Sequence, residues 1–239
     1  MSLLKFKTPI DLAGYTLVVP SVSVGNVPQL TVDLLVMSLK MENVATLWHP
    51  GLTACVGTDP FYCDVTAVST ACELYINKEL KIATIQLRSS IEAKLVLKFL
   101  NDLIDCIVQL KFQRVFILGT GFDYELHNIS NKNFLYFVTS AGDSEEISKS
   151  TSSKVLELDY NGKHTVRGSG FATKLYEITN NQVNATLLIK YISEGENIHD
   201  AQQFLHKLFQ FLEFKAPSVI PFPSSWHYIY GGPPPEGIF

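Results

Sequence analysis

The feature that most constrains the fold is an amphipathic helix followed at once by a short apolar strand. Between Glu92 and Leu110, apolar residues recur every three or four positions, a spacing that predicts a helix with one wide buried face. Arg114–Leu118 then has the composition of a strand. A helix of this kind must bury its apolar face against another layer, so the pair predicts a sheet covered by helices. The apolar face comprises Leu95, Val96, Phe99, Leu100, Leu103, Ile104, Ile107 and Val108.

The same alternation of strands and helices continues along the chain. Further predicted strands are Tyr15–Pro20, Val44–Trp48, Val68–Ile76, Lys81–Arg88, Phe134–Val138, Val155–Leu158 and Ala185–Ile192. Further predicted helices begin near Val27, at Ala172 and at Ile198, and the last two end at Ile178 and Phe214. Several strands are apolar on both faces, which predicts a three-layer α/β/α fold with a mostly parallel central sheet.

Residues typical of helix ends and turns refine this prediction. Asn26 and Asn197 stand where N-caps are expected, with Asp200 completing an arrangement like a capping box. Residues 77–79 separate two strands and predict a hairpin, which adds an antiparallel part to the sheet. The polar, low-complexity stretch from Gly142 to Lys154 predicts a mobile loop.

The amino-acid composition limits the classes of protein to which this chain can belong. The chain has 239 residues, of which 46% are hydrophobic and 18% charged. These values predict one folded α/β domain over residues 1–214, with a tail over residues 215–239. The net charge is −4 and no basic run occurs, so nucleic acid is not an expected partner. No stretch of the sequence resembles a signal peptide or a membrane span, so no membrane partner is expected.

The cysteines predict a reducing compartment. Cys55, Cys63, Cys72 and Cys106 contain no CxxC spacing, and a chain of this length needs no disulfide to fold. We expect four reduced thiols, mostly in or near the core, in a cytoplasmic protein that also reaches the nucleus.

Three loops at the predicted carboxyl ends of strands are candidates for ligand binding, because ligands of doubly wound sheets bind there. Ser21–Asn26 holds a single glycine ahead of a helix, so it is either an anion-binding turn or, as we favour, a capped β–α turn. Gly119–Asp123 contains GxG without a third glycine, which favours a flexible loop. Ser193–Asn197 carries two carboxylates, which suit acid–base or metal chemistry but also a solvated helix start.

The other catalytic templates fail. Gly168-Ser169-Gly170 is preceded by arginine and is not GxSxG, and the six histidines form no HExxH. The sequence does not rule out a cysteine–histidine nucleophile, but no motif indicates one. We therefore predict no catalytic, cofactor-binding or metal-binding residue, and we interpret the chain as a protein that binds other proteins.

The tail is the predicted functional element. Six of the eleven prolines lie in it, and Pro233–Pro235 predict a stiff extended rod ahead of Gly237. The chain then ends in two large apolar residues, Ile238 and Phe239. These side chains and the terminal carboxylate either enter a partner groove or cover the chain's own domain. The predicted partner-binding residues are Tyr230, Pro234, Gly237, Ile238 and Phe239.

Several collinear segments resemble the proteasome assembly chaperone 2 family. The resemblance is most specific in the first loop, in the turn from Ser193 to Ala201, and in Pro223–Trp226, and it is poor between Phe122 and Arg167. The segments are Asp11–Gly14, Pro20–Val27, Ile85–Ser89, Thr173–Tyr176, Ser193–Ala201 and Pro223–Trp226.

The resemblance implies a fold similar to that of nucleoside phosphorylases, without their activity. It also implies a heterodimer with proteasome assembly chaperone 1 that binds 20S proteasome α subunits and promotes assembly of the α-ring. Family tails that enter pockets between α subunits end in hydrophobic–Tyr–any residue. Here the chain departs from that pattern, because it ends in Gly237, Ile238 and Phe239.

Two alternatives stay open beside the chaperone. One is a nucleoside- or phosphate-binding enzyme of phosphorylase-like fold that uses Val24–Asn26 and Gly119–Asp123. The other is a scaffold whose tail binds unrelated partners.

Overall fold

A nine-stranded sheet runs through the middle of the molecule. The computed structural model describes residues 3–62, 66–126 and 128–228. Within them the strands are β1 (Leu4–Phe6), β2 (Thr16–Pro20), β3 (Glu42–Leu47), β4 (Val56–Thr58), β5 (Val68–Thr70), β6 (Cys72–Asn77), β7 (Ile82–Leu87), β8 (Arg114–Phe122), β9 (Leu135–Thr139), β10 (Lys154–Val155) and β11 (Asn184–Ile192). The α-helices are α1 (Val27–Ser38), α2 (Val96–Gln109), α3 (Ser144–Thr151), α4 (Ala172–Thr179) and α5 (Ile198–Phe211).

The sheet is mixed, which corrects the prediction that it is mostly parallel. Its order is β1-β3-β6-β7-β2-β8-β11-β9-β10, and β4 and β5 form a separate two-stranded ribbon. The central strands β7, β2, β8 and β11 are parallel, as are β9 and β10. The pairs β1–β3, β3–β6, β6–β7 and β11–β9 are antiparallel. The predicted hairpin is confirmed as β6–β7, whose connection is too short for a parallel crossover.

Helices cover both faces of this sheet. On one face α1 and α5 pack together, and Leu34 and Phe204 meet Val18 and Leu118 in one fully buried cluster. On the other face α2 and α4 pack over the strands. Burying each large apolar side chain contributes about 1.5–3 kcal/mol, so these two clusters hold the three layers together. The likeness to nucleoside phosphorylases stays a prediction.

The strand β8 is longer than the sequence predicts. It runs through Gly119 and Gly121 to Phe122, so the loop predicted at Gly119–Asp123 is wrong. A Cβ at Gly119 would collide with Ala172 of α4, and one at Gly121 would collide with Tyr191 of β11. The glycines therefore permit close packing around β8 rather than a turn.

The predicted mobile loop between Gly142 and Lys154 contains helix α3. Asp143 caps it, because its Oδ1 accepts a hydrogen bond from the Glu145 amide at 2.8 Å. At the other end, Lys207 of α5 donates to the Thr151 carbonyl. The stretch is thus ordered by capping at both ends rather than by a broad apolar face.

Other boundaries move by small amounts. The predicted strand at Val68 is interrupted before Cys72, the strand predicted at Val155–Leu158 is reduced to β10, and α5 ends at Phe211 instead of Phe214. Asn26 and Asn197 occupy N-cap positions, but neither side chain makes a capping hydrogen bond.

The first part of the predicted tail lies against the domain. Ala216, Ile220 and Trp226 pack on the cluster between the sheet and α1 and α5. Residues Ser224–Tyr228 form a short 3-10 helix, so this part is not extended throughout. The boundary predicted at residue 214 stays a prediction.

Candidate functional site

The three candidate ligand loops close on one another and on the segment before α4. Ser21 lies at the end of β2, and its hydroxyl donates to the Ser169 carbonyl at 2.8 Å. The same oxygen accepts a hydrogen bond from the Phe171 amide at 2.9 Å. This buried hydroxyl therefore binds the loop that precedes α4 to the end of β2.

A second set of bonds links the first loop to β8. The Ser23 and Thr120 hydroxyl oxygens lie 2.8 Å apart, and the Thr120 amide donates to Ser23 Oγ at 3.2 Å. Thr120 Oγ1 also lies 2.6 Å from the Val24 carbonyl, while the Val24 amide donates to the Gly168 carbonyl at 2.8 Å. The amides of Val24 and Thr120 and the hydroxyls of Ser21, Ser23 and Thr120 are therefore engaged within the protein and are not free to cradle a phosphate.

The acidic third loop is also internally bonded. Ser193 Oγ donates to the Asp123 carboxylate, and Asn197 Nδ2 donates to the Gly195 carbonyl at 2.9 Å. Asp200 pairs with buried Lys190 at 3.3 Å. A cavity of about 120 Å³ lies beside this loop. Within the described residues, no group of three His, Cys, Asp or Glu side chains could hold a metal ion.

His49 and Asp102 form a pair that the sequence did not indicate. It lies on the face of the sheet that α2 covers. His49 Nε2 is 3.2 Å from Asp102 Oδ2, and its Nδ1 accepts a hydrogen bond from the Gly51 amide at 2.9 Å. Cys106 lines the same groove of about 670 Å³. The Nδ1 atom of His49 is thus engaged by the Gly51 amide, and Nε2 lies close to the Asp102 carboxylate.

The thiol in that groove is not activated. Burial raises the pKa of Cys106 to about 11, whereas a nucleophilic cysteine needs a lowered pKa. The Lys98 ammonium lowers the pKa of the Asp102 carboxyl, as does the His49 contact. The raised pKa keeps the Cys106 thiol protonated near neutral pH, so this groove gives no support to a cysteine nucleophile.

The remaining catalytic candidates do not converge. Ser169 Oγ donates to the Val166 carbonyl at 2.8 Å, and His199 Nε2 contacts Gln203 Nε2. Of the cysteines, Cys72 is buried, Cys106 is half-buried and Cys55 is exposed, and all three are free thiols. Cys63 and His127 lie outside the described residues.

The C-terminal segment docks at one corner of the sheet. The Ser224 amide donates to the Phe61 carbonyl at 2.9 Å, and the Ser225 amide donates to the Pro60 carbonyl at 3.1 Å. The Trp226 ring packs against the core and lies 5.5 Å from Phe222. We call Phe61, Tyr75, Arg88 and Pro223–Trp226 the tail-root site, because Pro223–Trp226 lie near the end of the described chain, just before the predicted binding tail.

The Phe61 ring is the platform of this site. It is 2% exposed and meets Tyr75 edge to face, with 5.4 Å between ring centroids. The Arg88 guanidinium carbon lies over the same ring at 5.4 Å from its centroid, a cation–π arrangement. The ring is therefore fixed from two directions.

Buried carboxylates hold both neighbours of Phe61. Arg88 Nη2 donates to Asp33 Oδ1 at 2.7 Å and Nη1 to Oδ2 at 3.3 Å, and Asp33 on α1 is 5% exposed. Burial lowers the pKa of Arg88, but the Asp33 carboxylate outweighs that effect and leaves the pKa raised. This two-point pair fixes the plane of the guanidinium.

Glu73 does the same for Tyr75. It is 2% exposed, and its Oε2 accepts hydrogen bonds from Tyr75 Oη at 2.7 Å and from Ser69 Oγ at 2.9 Å. Burial, reinforced by the Glu73 charge, raises the pKa of Tyr75, which therefore stays a donor. A carboxylate in each of two otherwise apolar segments, around Asp33 and Glu73, was the sequence signal for this network.

The predicted partner-binding residues in the tail fall outside the structural description. Tyr230, Pro234, Gly237, Ile238 and Phe239 follow the last described residue, Tyr228. Two of the segments that carry the family resemblance, Ile85–Ser89 and Pro223–Trp226, meet at the tail-root site through the contact of Arg88 with Phe61.

The chain belongs to the PAC2 family, because the model of that family matches residues 17–206. Over most of its length it is similar to human Proteasome assembly chaperone 2, with 28% identity and 96% of each chain covered.

Solved structures from Pyrococcus furiosus share the fold. One is PbaA, described as an archaeal homolog of proteasome-assembly chaperone, with a TM-score of 0.70, 11% identity, and 90% of this chain and 88% of that chain covered. Another is PbaB, described as an archaeal proteasome activator, with a TM-score of 0.67, 15% identity, and 91% of this chain and 92% of that chain covered. Among the described residues, no helix is both long and apolar enough to span a membrane.

Proposed function

We propose that this chain is a chaperone of 20S proteasome assembly that promotes formation of the α-ring. The observation that carries the proposal is the likeness to human Proteasome assembly chaperone 2 over 96% of both chains. The proposed partners are proteasome assembly chaperone 1, in a heterodimer, and the α subunits of the ring. The proposed site of action is the cytoplasm and the nucleus.

In this proposal the tail provides the contact with α subunits. The tail-root site supports it, because Ser224 and Ser225 are bonded to Phe61 and Pro60 and so fix the point from which the tail departs. Tyr230, Ile238 and Phe239 would bury apolar surface in a partner groove, at about 1.5–3 kcal/mol for each side chain. Pro234 would limit the entropy lost on binding, and Gly237 would let the last residues turn into the groove.

We also propose that the chain binds its partners without catalysis. The support is that Ser21, Ser23 and Thr120 use their hydroxyls to join neighbouring loops. A phosphate or nucleoside at these strand ends would have to displace those bonds. The geometry of the loops therefore gives no support to the alternative hypothesis of an enzyme with a phosphorylase-like fold.

An affinity purification tests the proposal. Tagged full-length chain and a chain lacking Pro233–Phe239 are expressed in cells, and captured proteins are identified by mass spectrometry. We expect the full-length chain to capture a related chaperone and proteasome α subunits, and the shortened chain to lose only the α subunits. Glu236→Gln serves as a control within the tail, because it leaves Ile238 and Phe239 in place.

Capture of no proteasome subunit by either chain would overturn the chaperone proposal. Calorimetry with inorganic phosphate and with nucleosides would then test the enzyme alternative at the strand-end loops. Capture of unrelated proteins through the tail alone would favour the scaffold instead.

A further inference from the structure

The tail-root site contains a chain of contacts that leads from a buried ion pair to the backbone of the C-terminal segment. Asp33 holds Arg88 by two hydrogen bonds, and Arg88 lies over the Phe61 ring. The carbonyls of Phe61 and Pro60 accept the amides of Ser224 and Ser225. Each link is a direct contact between described residues.

We propose that Arg88 is a positioning residue that fixes the place of Ser224 and Ser225, the segment that comes before the predicted binding tail. It acts through Phe61 and does not itself need to touch a partner. The effect of Arg88 on the binding of α subunits rests on the proposed function. The positioning itself can be measured on the isolated chain.

The surroundings of Arg88 favour this role over simple stabilisation. Its side chain is 25% exposed and pairs with a carboxylate that is almost fully buried. A buried ion pair contributes little net stability, because desolvation offsets its attraction, but it imposes a defined geometry. The planar guanidinium is fixed by Asp33 on its edge and by Phe61 on its face. An arginine held in this way aligns an aromatic ring in a manner that a lysine cannot.

The chain offers a matched control at another position. Arg114 also lies over an aromatic ring, at 5.8 Å from the Phe116 centroid, and also faces a carboxylate, Glu213, at 3.9 Å. No backbone hydrogen bond joins Phe116 to Ser224–Trp226 among the described residues. Arg114→Gln therefore removes a cation–π contact that has no link to the C-terminal segment, together with an ion pair that is more exposed than that of Arg88.

The first test is hydrogen exchange of the Ser224 and Ser225 amides. Arg88→Gln also leaves the buried Asp33 carboxylate without its cation and so destabilises the whole fold. We therefore expect exchange at these two amides to rise at least about tenfold more than exchange in β8, the effect of losing a desolvated cation–π contact. In Arg114→Gln we expect no change at Ser224 and Ser225. If Arg88→Gln does not fold, Phe61→Leu takes its place, because it removes the ring and leaves the Asp33 ion pair. Unchanged exchange at both amides in the folded variant would overturn the proposal.

The second test separates positioning from stability. Affinities for purified α subunits and for the proposed partner, proteasome assembly chaperone 1, are measured for the full-length chain with and without Arg88→Gln. A loss of about tenfold for the α subunits with no loss for the partner chaperone would support positioning through the tail. An equal loss for both would show a structural role and overturn it. If the unmodified chain binds no α subunit, the proposed function fails, and hydrogen exchange alone decides the role of Arg88.

Discussion

At the scale of single residues, the closure of the strand-end loops depends most on Gly170. Its backbone has φ of +59°, and a Cβ there would overlap the Val22 carbonyl oxygen and Ser21 Oγ. We expect Gly170→Ala to lower the free energy of unfolding by about 3 kcal/mol, through backbone strain and the lost packing of this loop. Urea denaturation measures the change.

Gly162 supplies the control for that substitution. Its φ is +72° at an exposed turn, and, its two chain neighbours apart, no atom of the described residues lies within 4 Å of the point that a Cβ would occupy. Gly162→Ala should therefore cost only the left-handed backbone penalty, about 1 kcal/mol. Equal losses of unfolding free energy in the two variants would mean that the overlap of the new Cβ with the Val22 carbonyl oxygen does not add to the cost.

Residue-level prediction from the sequence succeeded for most of the buried face of α2 and failed for pairing. The apolar spacing identified Phe99, Leu103 and Ile107, which are all buried. It was wrong for Val108, which was placed on the same face and is 42% exposed near the end of the helix. Periodicity reports the face on which a residue lies but not its partner across the fold. The contact of Arg88 with Asp33 joins a strand to a helix from a distant part of the chain, and no local pattern records it.

At the scale of elements, helix α3 is a helix that depends on capping residues rather than on an apolar face. Its exposed surface leaves the Asp143 cap as its main local support, through the bond to the Glu145 amide. We expect Asp143→Ala to destabilise α3 by about 1 kcal/mol, measured as faster hydrogen exchange in residues 144–151. Lys149→Ala, on the exposed side, should leave that exchange unchanged. If both variants behave alike, capping does not hold the helix.

The elements that the sequence missed share one physical reason. Residues 144–151 lack an apolar stripe, and Gly119 and Gly121 have the composition of a turn, so local pattern favours loops in both places. Tertiary packing makes Gly119 and Gly121 part of a strand instead, because α4 and β11 approach β8 too closely for a Cβ at these two positions. The helices α2 and α5 could be predicted, because their apolar residues recur at helical spacing on one face. In α1, eight of the twelve residues are buried, so spacing marks no single face there.

At the scale of the whole molecule, the chain beyond α5 completes the core. Ala216, Ile220 and Trp226 are partly buried against the cluster that contains α1 and α5. We expect a chain ending at Phe214 to be roughly 3 kcal/mol less stable than one ending at Tyr228, because it exposes that apolar surface. Denaturation of the two chains gives the difference. Equal stabilities would place the end of the folded domain at the boundary predicted from the sequence.

The order of strands in the central sheet has a consequence for synthesis on the ribosome. β8 pairs with β2 on one side and with β11 on the other. The nascent chain can form the first pairing soon after β8 emerges, but the second must wait until residues as far as Ile192 have been translated. For several seconds of elongation β8 therefore presents an open, apolar edge. The molecule we propose to be a chaperone itself passes through a stage at which other chaperones have a surface to protect.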